Sequence, residues 1–186
     1  MPPKIRVTKD DIISAAVEIV RSRGAQAINA RAIAAQLNCS TQPVYSNFAT
    51  IDELRLAVVD KAEELSREYM RREAADGKYP EYKAGGMAYI RFAKEEKELF
   101  KLLYMRDRSG EVIPESTDLS DEMESIVHKQ TGLSGLEVKL FHLEMWAFVH
   151  GIAVMFATGY VELDTELVSK MLTDSYQGLR KQYGME

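Results

Sequence analysis

Residues 31–48 read RAIAAQLNCSTQPVYSNF, and this stretch decides the fold. Apolar residues recur at helical spacing on both sides of a short polar segment, which indicates two short helices joined by a tight turn. Asn29 is suited to cap the first helix, and Ser40 or Thr41 to cap the second, whose first turn tolerates Pro43. A helical hairpin of this kind can place its second helix in the major groove of DNA.

The side chains at the start of the second helix suit the edges of base pairs. Gln42 can pair with N6 and N7 of adenine, and the methyl group of Thr41 can contact the methyl group of thymine. Tyr45 and Ser46 follow about one turn later, where their hydroxyls can bind backbone phosphates. Arg31, near the start of the supporting helix, is placed to touch a flanking phosphate.

Composition and charge agree with such a protein. The apolar fraction of 46% is enough to bury a core, and the single cysteine, Cys39, fits a reducing compartment, so a cytoplasmic protein is expected. The net charge is −5, but residues 1–50 carry six cationic and three acidic side chains. A basic N-terminal part on an acidic remainder suits a protein that meets phosphate at one end.

A membrane span is not expected. The most apolar segment, residues 145–161, is shorter than the roughly 18 residues that a span needs. It also contains His150 and is flanked by Glu144 and Glu162. No secretory signal is expected either, because residues 1–11 are polar and basic.

Helical periodicity is found along nearly all of the chain and strand signals are scarce, so the fold class is predicted to be all-α. A first helix is expected between its cap Thr8 and its stop at Gly24, and residues 76–80 form the clearest break. A polar loop is expected at residues 107–118. The further predicted helices are 52–75, 81–94, 96–106, 120–130 with Ser120 as its cap, 136–160 and 164–183.

Two domains are predicted. A three-helix, helix-turn-helix DNA-binding domain occupies residues 1–50, and a larger helical ligand-binding and dimerisation domain occupies residues 51–186. The fourth helix, 51–75, connects them. The second half of the helix at 136–160 is apolar nearly all round and must be covered on most sides. If the chain is a dimeric regulator, its dimer interface is expected on the last two helices, as a four-helix contact.

Residues 9–58 closely resemble the N-terminal domain of TetR-family transcriptional regulators. The matching pattern is Gly24 at the end of the first helix, then Arg31-Ala32-Ile33-Ala34, then Ser40, Tyr45 and Phe48, then Glu53-Leu54. The resemblance implies a homodimer that binds a palindromic operator in double-stranded DNA. It usually implies a repressor that is released by a small-molecule effector, here expected to be apolar or amphipathic.

The chain departs from the family pattern at three positions near the DNA. Asn38 replaces a turn glycine, Thr41 replaces a frequent lysine, and Ile51 stands where a lysine commonly meets phosphate. The missing cations predict a shallower salt dependence, for which an N-terminal arm in the minor groove can compensate. The DNA-facing set is predicted to be Arg31, Ser40, Thr41, Gln42, Pro43, Tyr45, Ser46, Lys4 and Arg6.

The C-terminal half resembles the family more loosely. Residues 146–151, Trp-Ala-Phe-Val-His-Gly, are similar to a Trp-His-Gly signature of one branch of TetR-type C-terminal domains, and so are residues 88–93. Apolar character and position suggest an effector site made of Phe92, Phe100, Tyr104, Met123, Trp146 and His150. For His150 the alternative is a core histidine hydrogen-bonded across helices, and for the methionines it is core filling.

A different class of function is kept as the alternative. In it the chain is a helical small-molecule carrier or enzyme, and its N-terminal hairpin is purely structural. No nucleophile–base pair, metal-ligand spacing or phosphate loop stands out in the sequence, so no catalytic residue, metal site or cofactor is predicted. The cluster of polar side chains that opens the helix after the turn favours the regulator, because a structural hairpin does not need it.

Overall fold

The computed structural model describes residues 7–106 and 118–185. These residues form nine α-helices and no strand, which confirms the all-α prediction. The helices are α1 (Lys9–Arg23), α2 (Ala30–Gln36), α3 (Gln42–Asn47), α4 (Ile51–Asp76), α5 (Glu81–Glu95), α6 (Lys97–Tyr104), α7 (Asp118–Thr131), α8 (Leu136–Thr158) and α9 (Thr165–Gln182). A short 3-10 turn, Ala25–Ala27, lies between α1 and α2.

The chain divides into two compact units. The first unit comprises the described residues of Met1–Arg67 and Glu96–Arg106, and the second comprises those of Glu68–Glu95 and Asp107–Glu186. Helix α4 contributes residues to both units, and α6 belongs to the first. The division is therefore discontinuous along the chain, whereas the sequence predicts two continuous domains.

Helix α1 is fixed at both ends as its sequence predicts. The Thr8 hydroxyl accepts the Asp11 N–H at 3.1 Å, and the Asp11 carboxylate accepts the Thr8 N–H at 2.8 Å and its hydroxyl at 2.7 Å. These bonds lower the pKa of Asp11. Gly24 ends the helix with φ of +80°, a conformation that glycine adopts at little cost. The capping box thus sets where α1 begins.

The end of α1 is joined to α6 by a partly buried ion pair between Arg21 and Glu96. The Arg21 guanidinium donates to both oxygens of Glu96, at 2.8 and 2.6 Å, and to Glu18 at 2.6 Å. The hydrogen bond to Glu96 is the main cause of the raised pKa of Arg21. Next to this pair, Leu99 and Phe100 of α6 are fully buried. The ion pair and the apolar contact explain why α6 belongs to the first unit.

In the second unit, α5 and α8 run side by side and parallel. The Tyr82 hydroxyl lies 3.0 Å from Nδ1 of His142, and the Tyr89 hydroxyl lies 2.9 Å from Nδ1 of His150. Because residue numbers rise together in the two pairs, the helices have the same direction. Burial lowers the pKa of both histidines, so both hydrogen bonds involve neutral imidazoles near neutral pH.

The remaining helices complete an apolar cluster around Phe141. Its buried members come from α5, α7 and α8, and Tyr176 and Leu179 of α9 pack against it, together with Tyr183 just after the end of α9. The prediction for the start of α7 is wrong: the helix begins at Asp118, so Ser120 lies inside it and is not the cap. Aspartate and serine are both common at helix N-termini, so the sequence alone does not choose between the two positions.

Helix α8 is long and apolar enough to cross a membrane by length and composition, with 39% of its most apolar window buried. The same composition is typical of a core helix in a soluble protein. The predicted covering concerns the second half of this helix, where Val149, Ile152, Ala153, Phe156 and Ala157 are buried, whereas apolar residues of its first half are exposed. Leu140, Leu143 and Trp146 are 41%, 56% and 42% exposed.

We expect the protein to lose stability as the pH falls below about 6.5, the ordinary pKa of histidine. His142 faces Tyr82 of α5 and Glu124 of α7. Desolvation lowers its pKa, and Glu124 opposes this only in part. The unfolded chain therefore binds a proton at higher pH than the folded chain does, so the stability present above 6.5 is lost on acidification.

Urea unfolding at neutral and mildly acidic pH measures this effect. Gln keeps a hydrogen-bond partner for the tyrosine but does not titrate, so the double variant His142→Gln/His150→Gln is expected to lose less stability between the two pH values than the wild type. Equal losses in the two proteins would show that the acid sensitivity comes from other groups.

Candidate nucleic-acid interface

Helix α2 and the turn after it position α3. The Asn29 side chain accepts the Ala32 N–H at 3.0 Å and so caps α2, as predicted. Asn38 has φ of +50°, the left-handed conformation that an aspartate or asparagine tolerates better than other residues do. The Cys39 N–H then donates to the Ala34 carbonyl at 2.9 Å, which closes the turn.

The start of α3 differs from the prediction in one respect. Thr41 occupies the N-cap position and Pro43 lies in the first turn, but the Thr41 side chain accepts no hydrogen bond from the helix. Its backbone is already helical, with φ of −71° and ψ of −13°, whereas a capping side chain needs an extended residue. The predicted capping bond is therefore wrong, and the Thr41 hydroxyl is not engaged by the helix end.

Helix α3 presents a polar face on an apolar anchor. Val44 and Phe48 are 1% and 2% exposed and hold the helix in the core of the first unit. Gln42, Tyr45 and Ser46 are exposed. The Ser46 hydroxyl donates to the Gln42 carbonyl at 2.9 Å, so its oxygen remains as an acceptor. This face offers amide and hydroxyl groups of the kind that bind base edges and phosphates.

The other residues predicted to face DNA lie around this helix. Ser40 is exposed in the turn, Thr41 and Pro43 are half-buried, and Arg31 is exposed in the first turn of α2. Lys4 and Arg6 lie outside the described residues. The exposed polar residues of the predicted set thus lie in the turn and on α3; they are Ser40, Gln42, Tyr45 and Ser46.

The residues predicted to contact an effector are distributed over both units. Phe100 and Tyr104 belong to α6 of the first unit, where Phe100 is fully buried. The other four belong to the second unit, where Phe92 is fully buried and Met123 packs against the Phe141 cluster.

Trp146 and His150 form a stacked pair on α8, with ring centroids 4.8 Å apart and an angle of 16° between the ring planes. The hydrogen bond of His150 to Tyr89 is the bond across helices that the core interpretation of this histidine requires. His142 has the same arrangement with Tyr82. The eight-residue spacing of His142 and His150 argues against a metal site in the sequence, and it could not show that each histidine has a tyrosine partner on α5.

Residues 82–175, just over half of the chain, match the family model for the C-terminal domain of tetracycline-repressor-like proteins. Three solved structures are similar over most of their length, each at 18% identity. A TetR-like transcriptional regulator from Rhodococcus sp. RHA1 has a TM-score of 0.71, with 99% of both chains covered. No curated protein sequence matches.

The two further structures match at slightly lower TM-scores. A member of the TetR family from Streptomyces coelicolor A3 has a TM-score of 0.64 and covers 90% of this chain and 96% of its own. The multidrug binding protein EbrR, solved with imidazole, has a TM-score of 0.61 and covers 90% of this chain and 93% of its own. At this identity the similarity shows a shared fold.

The fold and the site define a class: a helix-turn-helix DNA-binding protein with a separate helical C-terminal unit. The match to the C-terminal family model identifies the family. This chain belongs to the TetR-like family of transcriptional regulators, and it is a ligand-responsive DNA-binding regulator and not an enzyme.

Proposed function

We propose that this regulator is a repressor that binds a palindromic operator as a homodimer and is released by a small molecule. The observation that carries the DNA-binding part is the exposed polar face of α3, which stands on the buried Val44 and Phe48. In a dimer, two such helices about 34–36 Å apart would enter successive major grooves. The DNA-facing set is the one predicted from the sequence.

The dimer interface is proposed on α8 and α9. Leu136, Leu140 and Leu143 lie three or four residues apart, so they share one face of α8, and they are 70%, 41% and 56% exposed. The same stripe continues through the exposed Ala147 and Gly151. An exposed apolar stripe that runs along five successive positions of one helix face supports an interaction surface. A second copy of the chain would cover it in an isologous four-helix contact.

The effector is proposed to be an apolar or amphipathic molecule that binds the second unit in the cytoplasm. Phe92, Met123, Trp146 and His150 remain our candidates for its contacts. Release from DNA requires that the effector bind more tightly to a dimer whose reading helices do not match the operator than to the DNA-bound dimer.

Gln42→Ala is expected to weaken operator binding by about 1–3 kcal/mol and to relax the preference at one base pair, because the amide that pairs with adenine is removed. Binding to scrambled DNA should change little. The matched control is Gln36→Ala, which removes an exposed glutamine from the end of α2 in the same unit. Fluorescence anisotropy with both duplexes measures the two affinities, and an unchanged ratio for Gln42→Ala would contradict the assignment of α3.

The proposed function as a whole is tested by titrating the protein with DNA that flanks its own gene, at several salt concentrations and with scrambled DNA as the control. Tight, sequence-selective binding that weakens with salt is expected. Equal, weak binding to both duplexes would contradict an operator at this location. An absence of binding to either duplex at low salt would favour the carrier alternative.

A further inference from the structure

The DNA-facing surface described above has few cations. No lysine or arginine occurs between Arg31 and Arg55, so the turn, α3 and the start of α4 are without positive side chains. Most of the affinity of a protein for DNA comes from cationic side chains that neutralise phosphates. Among the described residues of the predicted DNA-facing set, Arg31 is the one cation, so a cation from another part of the first unit would add to phosphate binding.

Lys9, in the first turn of α1, brings an ammonium group to the junction of α3 and α4. Its Nζ atom lies 4.8 Å from the centre of the Phe48 ring and 3.7 Å from a carboxylate oxygen of Glu53. Phe48 follows the last residue of α3, and Glu53 lies in the first turn of α4. The ammonium group thus stands where α3 ends and α4 begins, and the Lys9 side chain is 53% exposed.

Glu53, the carboxylate that Lys9 contacts, is held in place by hydrogen bonds to other residues. The second carboxylate oxygen of Glu53 accepts the Ala49 N–H at 2.8 Å, and the Glu53 N–H donates to the Thr50 hydroxyl at 3.1 Å. Thr50 therefore caps α4, and the Glu53 carboxylate keeps its bond to the Ala49 N–H, whether or not Lys9 is near. At 3.7 Å its contact with Lys9 is longer than a hydrogen bond, and an exposed ion pair of this kind contributes little to stability.

We propose that Lys9 is a phosphate-binding residue of the DNA interface and exchanges Glu53 for an oxygen of the DNA backbone. The Phe48 ring fixes where the ammonium group stands, and the weak ion pair allows the exchange. Arg55 is less suited to this role because its guanidinium already donates to Asp52 at 2.8 Å. The inference rests on the proposed role of α3 as the helix that reads DNA.

The salt dependence of binding tests this role. The probe is a random-sequence duplex of about 30 base pairs, titrated by anisotropy between about 50 and 200 mM salt. Lys9→Gln is expected to lower the magnitude of the slope of log K against log salt by about 0.9 and to weaken binding roughly 3- to 10-fold. Lys9→Arg should restore both values.

Lys61→Gln is the matched control. Lys61 lies on α4 in the same unit, and its ammonium group donates to Glu64. Its removal should leave the slope of log K against log salt unchanged. An unchanged slope for Lys9→Gln, with normal wild-type binding, would overturn the role of Lys9 alone and leave the regulator function standing. An absence of wild-type DNA binding at low salt would overturn both. Thermal melting of each variant shows whether a loss of affinity follows a loss of folding.

Discussion

Leu143→Glu is expected to convert the protein from a dimer to a monomer and to weaken operator binding by about 10²–10⁴-fold. Leu143 is 56% exposed on α8, so the single chain folds without burying it. In the proposed dimer the glutamate would be a charge in an apolar contact, which costs several kcal/mol unless the charge is paired. The two copies of α3 would then no longer be linked in one dimer. Each monomer would bind its half of the operator independently, so the high effective concentration of the second DNA-binding unit would be lost.

Light scattering measures the mass, which should fall from twice the chain mass of 21.0 kDa to that of one chain. Leu56→Glu is the matched control, because Leu56 is 65% exposed on α4 in the first unit and lies outside the proposed interface. It should leave the mass unchanged. A Leu143→Glu protein that remains dimeric and keeps its operator affinity would place the interface elsewhere.

Gly86→Val is expected to lower the free energy of unfolding by about 3 kcal/mol, the upper end of what overpacking a core usually costs. A Cβ atom at Gly86 would lie 3.1 Å from a methyl group of Leu172 in α9 and 3.4 Å from a methyl group of Val149 in α8. Both neighbours are buried, so their side chains have little room to move away from an added methyl group. For a chain of this size the loss corresponds to a fall in Tm of about 6–12 °C.

Gly85→Val provides the comparison for this change, since it places the same side chain one residue earlier on the same helix. A Cβ atom there would meet only the Met123 side chain, with the sulfur at 3.2 Å, and a methionine can change rotamer. We therefore expect a much smaller fall in Tm, measured by thermal unfolding of both variants. A similar fall for the two would show that the contacts with Leu172 and Val149 do not decide the effect, because valine is a better helix former than glycine at either position.

Local signals explain why much of the fold could be predicted from the sequence. Thr8 with Asp11, Asn29 before α2 and Gly24 after α1 are capping residues whose effect depends only on their near neighbours. The bounds of most helices followed from these residues and from apolar spacing. The start of α7 was missed because Asp118 and Ser120 are both of residue types that commonly begin helices.

Contacts between distant residues could not be predicted. Arg21 and Glu96 are 75 residues apart, and nothing local shows that α6 would pack against α1. The same limit applies to Lys9, whose relevance appears only when Phe48 and Glu53 are seen beside it. The effector candidates were chosen by residue type, and type alone could not show that Phe100 and Tyr104 belong to the first unit while the others belong to the second.

The segment between Arg31 and Arg55, which has no lysine or arginine, affects how molecules of this regulator are distributed over a genome. A genome offers millions of random sites that compete with one operator, and attraction to those sites is mostly ionic. Compared with a DNA-binding face rich in lysine and arginine, a face of amides and hydroxyls has a lower affinity for random sequence. Its affinity for the operator falls less, because contacts with base edges remain. Fewer copies are then held on competing DNA, so a small number of molecules in the cell would be enough to keep the operator occupied.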